Sequence, residues 1–408
     1  MTHNMEIGRS AGTPASDLET AGAAGAAGAA GAVTQDATAL CRRTMLKLGF
    51  GAIAAGLAVT ARAQTASPAR GATMRALPGG RTVKLVPSWD TVQVGQMSPN
   101  ANPAVTIRSG DTVWYDGTWT NWGNEAKYGM GFKEREPIRK KYPNGAFSLI
   151  GPVVIDGAQP GDVVECRMLK MRPIDWGWNS APPGVGALPG DFGPYLRYLK
   201  FNDARTHASY VPGVNIPLRP FQAYLGTQPP GDRMTSANFA GSYGGNLDCA
   251  VLGVGTSVFL PVQMDGARVW TGGSMGASGE GNIDQTSIES AFEEMRIQFL
   301  LHKRSKLDGP MAETPEHWIG FGFADGSLDA ALVACIRQMI GWMSAATGIE
   351  PVDCYGILSV SGSFRITQYA HQTRTVYATE PPKGVHCMLP KEIFTAEMLQ
   401  RLSAYTRA

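Results

Sequence analysis

Residues 294–303 read EMRIQFLLHK, and this stretch decides the fold class of the chain. Its apolar side chains occupy every second position from Met295 to Leu301, alternating with arginine and glutamine. A period of two is typical of a β-strand with one face against a core and the other towards solvent. The sequence therefore predicts a half-buried strand here.

Three further stretches predict pairs of short strands around a turn. Residues 104–115 surround a turn at 109–111, residues 151–168 surround a QPGD turn at 159–162, and residues 256–270 surround a turn at 264–266. The chain also contains 50 glycines and 27 prolines, which divide it into short segments. Frequent turn residues favour strands over long helices.

Two helices are predicted near the C-terminus. Ser327 can cap the first, Gly348 can end it, and its apolar stripe comprises Leu328, Leu332, Cys335, Ile336, Met339 and Met343. A second helix is predicted over residues 395–405. Residues 176–193 and the basic run 139–141 are predicted to be loops. The fold class is mainly β, with a β-sandwich-like core and a smaller α/β part near the C-terminus.

The N-terminal segment has the pattern of an export signal. Arg42 and Arg43 precede a short apolar run at 48–59, and residues 61–63 read ARA, a small-x-small cleavage site. A glycine–alanine tract at 21–32 has no side chains able to build a core. We therefore predict a disordered N-terminus and twin-arginine signal over residues 1–63, one domain over 64–408, contact with the twin-arginine export machinery, and a periplasmic or secreted location.

Composition excludes several function classes. The formal charge of +2 with 17% charged residues gives no sign of a nucleic-acid partner. No segment after the signal is apolar enough for stable membrane insertion. The five cysteines after residue 63 are odd in number and contain no CxxC, so we expect unpaired, buried thiols.

Seven motifs in order resemble the acetamidase/formamidase family. They are VTIRSGDTV at 105–113, GPVVIDGAQPGD at 151–162, GGNLD at 244–248, GTSVFLPV at 255–262, TSIE at 286–289, TPEH at 314–317 and GVHCMLPKEIF at 384–394. The resemblance implies hydrolysis of a small linear, non-peptide amide to a carboxylate and ammonia. It also implies a β-rich homo-oligomer and a divalent metal as a possible cofactor.

The chain departs from the family where metal ligands would stand. The family signature is approximately GD-x-H-x-x-Q-G-D-G-E, whereas residues 272–282 here read GGSMGASGEGN. Gly273, Met275 and Asn282 stand where the family has Asp, His and Glu. Phe147 and Tyr243 stand where it has histidines, and none of these five residues is a good metal ligand. The metal ligands are therefore unknown, and a non-catalytic ligand-binding or scaffold protein on the same fold stays open as an alternative.

The polar residues that match the family are Asn246, Asp248, Glu280 and Glu289. Asp248 and Glu280 are predicted to form a carboxylate pair in which burial raises one pKa for acid–base catalysis, with Glu289 as a third candidate. Asn246 is predicted to bind the substrate amide. The structural alternative is that Asn246 and Asp248 hydrogen-bond to the backbone of a turn.

Four other features leave alternatives open. Ser274 lies in a G-x-S-x-G match without the required following helix, so it is kept only as a substrate-binding candidate. Cys249 is either a thiol nucleophile or an inert buried thiol. The histidines show no metal-ligand spacing, although Asp248, Glu280 and Glu289 can form an all-oxygen site. Tryptophans either pack in a core or line a cleft for a ligand larger or flatter than formamide: Trp114, Trp119, Trp122, Trp176 and Trp178.

Overall fold

The alternating stretch forms part of an eleven-residue strand, Phe292–His302. The structure is a computed structural model that describes residues 74–304, 307–371 and 377–407. The predicted export signal lies outside these residues. All of the described residues belong to the compact unit Ser67–Ala408.

The described strands, in chain order, are β1 (Thr82–Leu85), β2 (Val92–Val94), β3 (Gln96–Met97), β4 (Val105–Ile107), β5 (Thr112–Tyr115), β6 (Ser148–Ile155), β7 (Val163–Pro173), β8 (Trp176–Ala181), β9 (Tyr195–Lys200), β10 (His207–Val211), β11 (Val214–Pro217), β12 (Phe221–Gly226), β13 (Thr235–Ser236), β14 (Ala240–Gly241), β15 (Gly244–Asn246), β16 (Ser257–Pro261), β17 (Val269–Ala277), β18 (Ile288–Glu289), β19 (Phe292–His302), β20 (Met311–Glu313), β21 (His317–Ala324), β22 (Ser363–Gln368) and β23 (Lys383–Pro390). The described helices are α1 (Asn121–Asn124), α2 (Phe132–Lys141), α3 (Leu328–Thr347), α4 (Pro351–Ser361) and α5 (Ala396–Thr406), with a 3-10 turn at Lys391–Ile393.

Most of these strands form two large sheets. In the described part of the chain, sheet one has the order β1-β5-β19-β7-β16-β20-β21-β23-β22. Sheet two has the order β14-β15-β12-β17-β18-β8-β9, and β6 joins it beside β17 and carries β2 and β4. Neighbours are antiparallel except β1 with β5 and β4 with β6. The strands predicted on either side of each of the three turns are present, and the mainly β fold is confirmed.

The period of two places alternate residues of sheet one in two different cores. On β16, Val258 and Leu260 pack in a cluster that also contains Ile150 and Val153 of sheet two. Phe259, between them, packs in a second cluster with the C-terminal helices. Sheet one is therefore covered by sheet two on one face and by helices on the other, which confirms the sandwich-like core.

The predicted helix over residues 328–347 is confirmed with its caps. Ser327 Oγ accepts a hydrogen bond from the Ala330 backbone N–H at 3.1 Å, and Gly348 ends the helix in the left-handed conformation. Its most buried face differs slightly from the predicted stripe because Ala331 and Trp342 lie on it, whereas Leu328, Leu332 and Ile336 are half-buried. The C-terminal helix, α5, is also confirmed, with Thr395 as its cap.

One loop prediction is wrong in part and another is wrong throughout. Residues 182–193 form a loop as predicted, but residues 176–181 form β8, which pairs with β9 over six residues, so long-range pairing overrides the local turn signals there. The basic run 139–141 is the last turn of α2, where positive charge complements the helix dipole. Among the described residues, no single helix is long and apolar enough to cross a membrane, and α3 with α4 meets that test only as a pair bent by 119°.

Candidate functional site

A cavity of about 500 Å³ opens on sheet two. Its lining comes from β8, β17 and β18, from helices α1 and α2, and from the chain after β15. Three predicted residues lie in the lining, namely Asn246, Asp248 and Glu289. The GGNLD and TSIE motifs are far apart in sequence, and the sheet brings their polar residues to one place.

Asp248 is positioned by a strained backbone just after β15. Its φ of 41° is left-handed, a conformation that aspartate tolerates better than most residues. Its backbone N–H donates to the Ala223 carbonyl on β12 at 2.9 Å. Its side chain accepts a hydrogen bond at Oδ2 from Asn282 Nδ2 at 2.5 Å. Burial raises the pKa of Asp248 to about 6, although the Asn282 bond opposes this rise.

Glu289 is positioned by the register of sheet two. It lies opposite Met275 of β17 on one side and Trp178 of β8 on the other, and all three line the cavity. Its carboxylate accepts hydrogen bonds from Asn121 Nδ2 at 2.9 Å and from the Ser287 backbone N–H at 3.3 Å.

The two acids influence each other. Burial, together with the negative charge of Asp248, raises the pKa of Glu289 to about 7, against the Asn121 hydrogen bond and the charge of Arg135. Two carboxyl groups that interact in this way titrate as a pair. Between about pH 6 and pH 7 Asp248 is ionised while Glu289 is protonated, so the site holds both a base and an acid.

Three buried oxygens near this pair have no hydrogen-bond partner among the described residues. They are Asn246 Oδ1, Asp248 Oδ1 and Asn282 Oδ1, and all three residues line the cavity. Asn246 uses its amide N–H to donate to the Asn238 carbonyl at 3.2 Å, which orients its own oxygen. Buried acceptors are normally paired, so this group favours a ligand that donates hydrogen bonds.

The structure does not bring Glu280 or Ser274 into this lining. Glu280 forms an ion pair with Arg365 at 2.7 Å and lies 3.8 Å from His386, and these two residues lower its pKa to about 2. The predicted pairing of Asp248 with Glu280 is therefore wrong, and the partner of Asp248 is Glu289. Ser274 is buried in the middle of β17, where its hydroxyl contacts Thr118 at 2.8 Å and Gln222 at 3.0 Å.

Some of the remaining candidate residues line the cavity and others do not. Trp122 and Trp178 line the cavity, whereas Trp114, Trp119 and Trp176 do not. Cys249 is fully buried outside the lining, and the five described cysteines are free, as expected. The lining residues that were not predicted include Asn121, Asn282 and Arg135. Of these, Asn282 had a sequence signal, because it stands where the family has a glutamate.

The residues present do not fit a tightly bound divalent metal. No group of three or more His, Cys, Asp or Glu among the described residues is placed to hold one. Phe147 and Met275, where the family has histidine, line the cavity with apolar side chains. A Cβ added at Gly273, where the family has aspartate, would lie 3.0 Å from the Phe147 ring. No histidine or cysteine is among the described lining residues, so the cavity lacks the nitrogen and sulfur ligands that hold zinc.

Solved structures with the same fold are known. The chain is similar to an acetamidase from Bacillus halodurans at 25% identity and a TM-score of 0.68, covering 76% of this chain and 98% of that one. It is also similar to an acetamidase from Yersinia enterocolitica, at 24% identity and a TM-score of 0.67, covering 77% of this chain and 93% of that one. A predicted acetamidase/formamidase from Thermoanaerobacter tengcongensis matches at 21% identity and a TM-score of 0.67, covering 81% of this chain and 100% of that one. No family model and no curated protein matches. The chain therefore has the acetamidase/formamidase fold.

Proposed function

We propose that this protein is a hydrolase of non-peptide amides and that Asp248 and Glu289 perform the acid–base chemistry. The observation that supports it most is the buried acid pair beside unpartnered amide oxygens in one cavity. The pKa values of the pair, about 6 and about 7, match the neutral range in which general acid–base catalysis works best.

The reaction follows from the two protonation states. Ionised Asp248 takes a proton from water while the water oxygen forms a bond to the amide carbon, which gives a tetrahedral oxyanion. Protonated Glu289 then gives its proton to the nitrogen as the carbon–nitrogen bond breaks. Ammonia leaves, and the new carboxylic acid loses its proton to solvent. The proton that Asp248 took from water passes to Glu289, which restores the starting protonation state of both acids. Asn246 and Asn282 accept hydrogen bonds from the amide N–H₂ group and hold it in place.

The second candidate is a non-catalytic binding protein on the same fold. The replacement of the family's ligands around the cavity by Phe147, Met275 and Gly273 favours it. Amide hydrolysis that depends on Asp248 would exclude it, because a binding protein has no need of a titrating acid. For either candidate function, we also propose a periplasmic location and a homo-oligomeric state.

The direct test is ammonia release from formamide, acetamide and benzamide by the mature protein. Asp248→Asn should reduce the rate by about 10²- to 10⁴-fold, because it removes the general base. Asp265→Asn, an exposed aspartate in the turn before β17, is the matched control and should retain full activity. Equal rates in wild type and Asp248→Asn would refute the assignment.

A further inference from the structure

The cavity has charged residues of opposite sign on two of its sides. Asp248 and Glu289 lie on the sheet side. Helix α2 forms the other side and contributes Lys133, Arg135 and Arg139. A cavity arranged in this way suits a ligand with two different polar ends.

Arg135 is a buried cation without an anionic partner. Only 4% of its surface is exposed, and its guanidinium lies 4.8 Å from the Trp178 ring centroid and 5.2 Å from that of Tyr198. Nη2 donates to Tyr198 Oη at 2.8 Å, whereas Nε has no hydrogen-bond partner. No carboxylate of the described residues lies within ion-pair distance of it, although the charge of Glu289 favours its charged form and so opposes the lowering of its pKa by burial. A buried unpaired charge is unfavourable, so a ligand anion is the missing partner.

Two other basic residues of α2 differ from Arg135, because each has an ion-pair partner. Lys140 pairs with Glu136, an acidic residue of the cavity lining, at 2.8 Å, and Lys141 pairs with Glu125 at 2.8 Å. Arg139 lies one turn after Arg135 on the same face and lines the cavity. It forms no ion pair with any described residue. Helix α2 therefore pairs Lys140 and Lys141 and leaves Lys133, Arg135 and Arg139 without an ion pair to any described residue on the cavity side.

We propose that the substrate is the monoamide of a dicarboxylic acid with a flat, apolar body, whose carboxylate is bound by Arg135 and Arg139. This inference rests on the proposed function, because the carbamoyl end lies at Asp248 and Glu289. A guanidinium matches a carboxylate with two parallel hydrogen bonds. Trp122 and Trp178 provide aromatic surface for the body, and a cavity of about 500 Å³ is far larger than formamide requires.

The kinetic test compares benzamide with 4-carbamoylbenzoate, which differ by one carboxylate. We expect kcat/KM to be about 10- to 100-fold higher for the anion, the usual effect of a hydrogen bond between charged groups. Arg135→Met and Arg139→Gln should each reduce this preference, with the rate on benzamide much less affected. Lys141→Gln, on the same helix, should keep the preference, because neither Lys141 nor its partner Glu125 lines the cavity. Equal kcat/KM for the two amides would overturn the inference.

A binding test separates this inference from the proposed function. Calorimetry should show tighter binding of terephthalate than of neutral terephthalamide, and the difference should disappear in the arginine variants. Arg139 is half-buried, so its variant keeps the test valid if Arg135→Met fails to fold. Terephthalate binding without any hydrolysis of 4-carbamoylbenzoate or benzamide would refute the proposed function and still support the carboxylate site. Equal terephthalate binding in wild type and both variants would refute the carboxylate site.

Discussion

At the scale of single residues, the site depends on side chains held in unfavourable states. Asp248 and Asn282 both have left-handed backbones, with φ of 41° and 44°, and are joined by one hydrogen bond. Asp248 and Glu289 are buried acids with raised pKa values. Strain and buried titratable groups concentrate at functional sites, which is consistent with a catalytic role here.

The same burial makes stability depend on pH. Because the folded-state pKa values lie above those of the unfolded chain, the contribution of Asp248 and Glu289 is fully present below about pH 4. It is lost as the pH rises through about 6 and 7. The double variant Asp248→Asn, Glu289→Gln should lose less stability over this range, by roughly 2–5 kcal/mol. Denaturant titrations at several pH values would measure it, and parallel pH curves would contradict the burial of the pair.

The sequence located part of the site and not the rest. Asn246, Asp248 and Glu289 lie in motifs whose order along the chain identified them. Asn121 and Arg135 had no such signal, because α1 and α2 reach the cavity through contacts distant in sequence. Glu280 was misplaced for the same reason. Its partners Arg365 and His386 lie on β22 and β23, which only the folded chain brings beside it.

At the scale of secondary-structure elements, α3 and β21 approach at backbone distance. A Cβ added at Gly322 would lie 2.1 Å from the Ala331 carbonyl oxygen and 2.3 Å from the Cys335 backbone nitrogen. The predicted helix was correct because its caps and apolar period are local signals. The close approach of β21 was not predictable, since it depends on a glycine in a different element.

We expect Gly322→Ala to reduce the free energy of unfolding by roughly 2–4 kcal/mol, because the helix must move away from sheet one. Gly341→Ala is the matched control within α3, where an added Cβ meets nothing within 4 Å. It should raise the free energy of unfolding by about 0.5–1 kcal/mol, since alanine favours a helix. Urea unfolding would measure both. An unchanged midpoint for Gly322→Ala would show that α3 does not pack here.

At the scale of the whole molecule, the sandwich was predictable and its helical layer only partly so. Period-two strands such as β19 indicate two packed sheets. Helix α4 was missed because it starts at Pro351 and its apolar residues follow no helical period. Covering the outer face of sheet one requires α3, α4 and α5 together, and their joint packing has no local sequence signal.

The predicted export concerns the whole chain, because the signal is predicted at its N-terminal end. Replacing Arg42 and Arg43 together with lysine should leave the precursor in the cytoplasm, because the twin-arginine pathway recognises the arginine pair itself. Cell fractionation followed by immunoblotting would measure the outcome. Periplasmic accumulation of this variant would refute the predicted signal over residues 1–63.

The pH dependence of amide hydrolysis tests the central claim most directly. If Asp248 must be ionised and Glu289 protonated, kcat/KM should follow a bell-shaped curve with its maximum between about pH 6 and pH 7. Glu289→Gln should lower the maximum and remove the fall on the alkaline side, and a metal chelator should leave the curve unchanged. A rate that rises steadily to about pH 9, or that the chelator abolishes, would contradict catalysis by this acid pair.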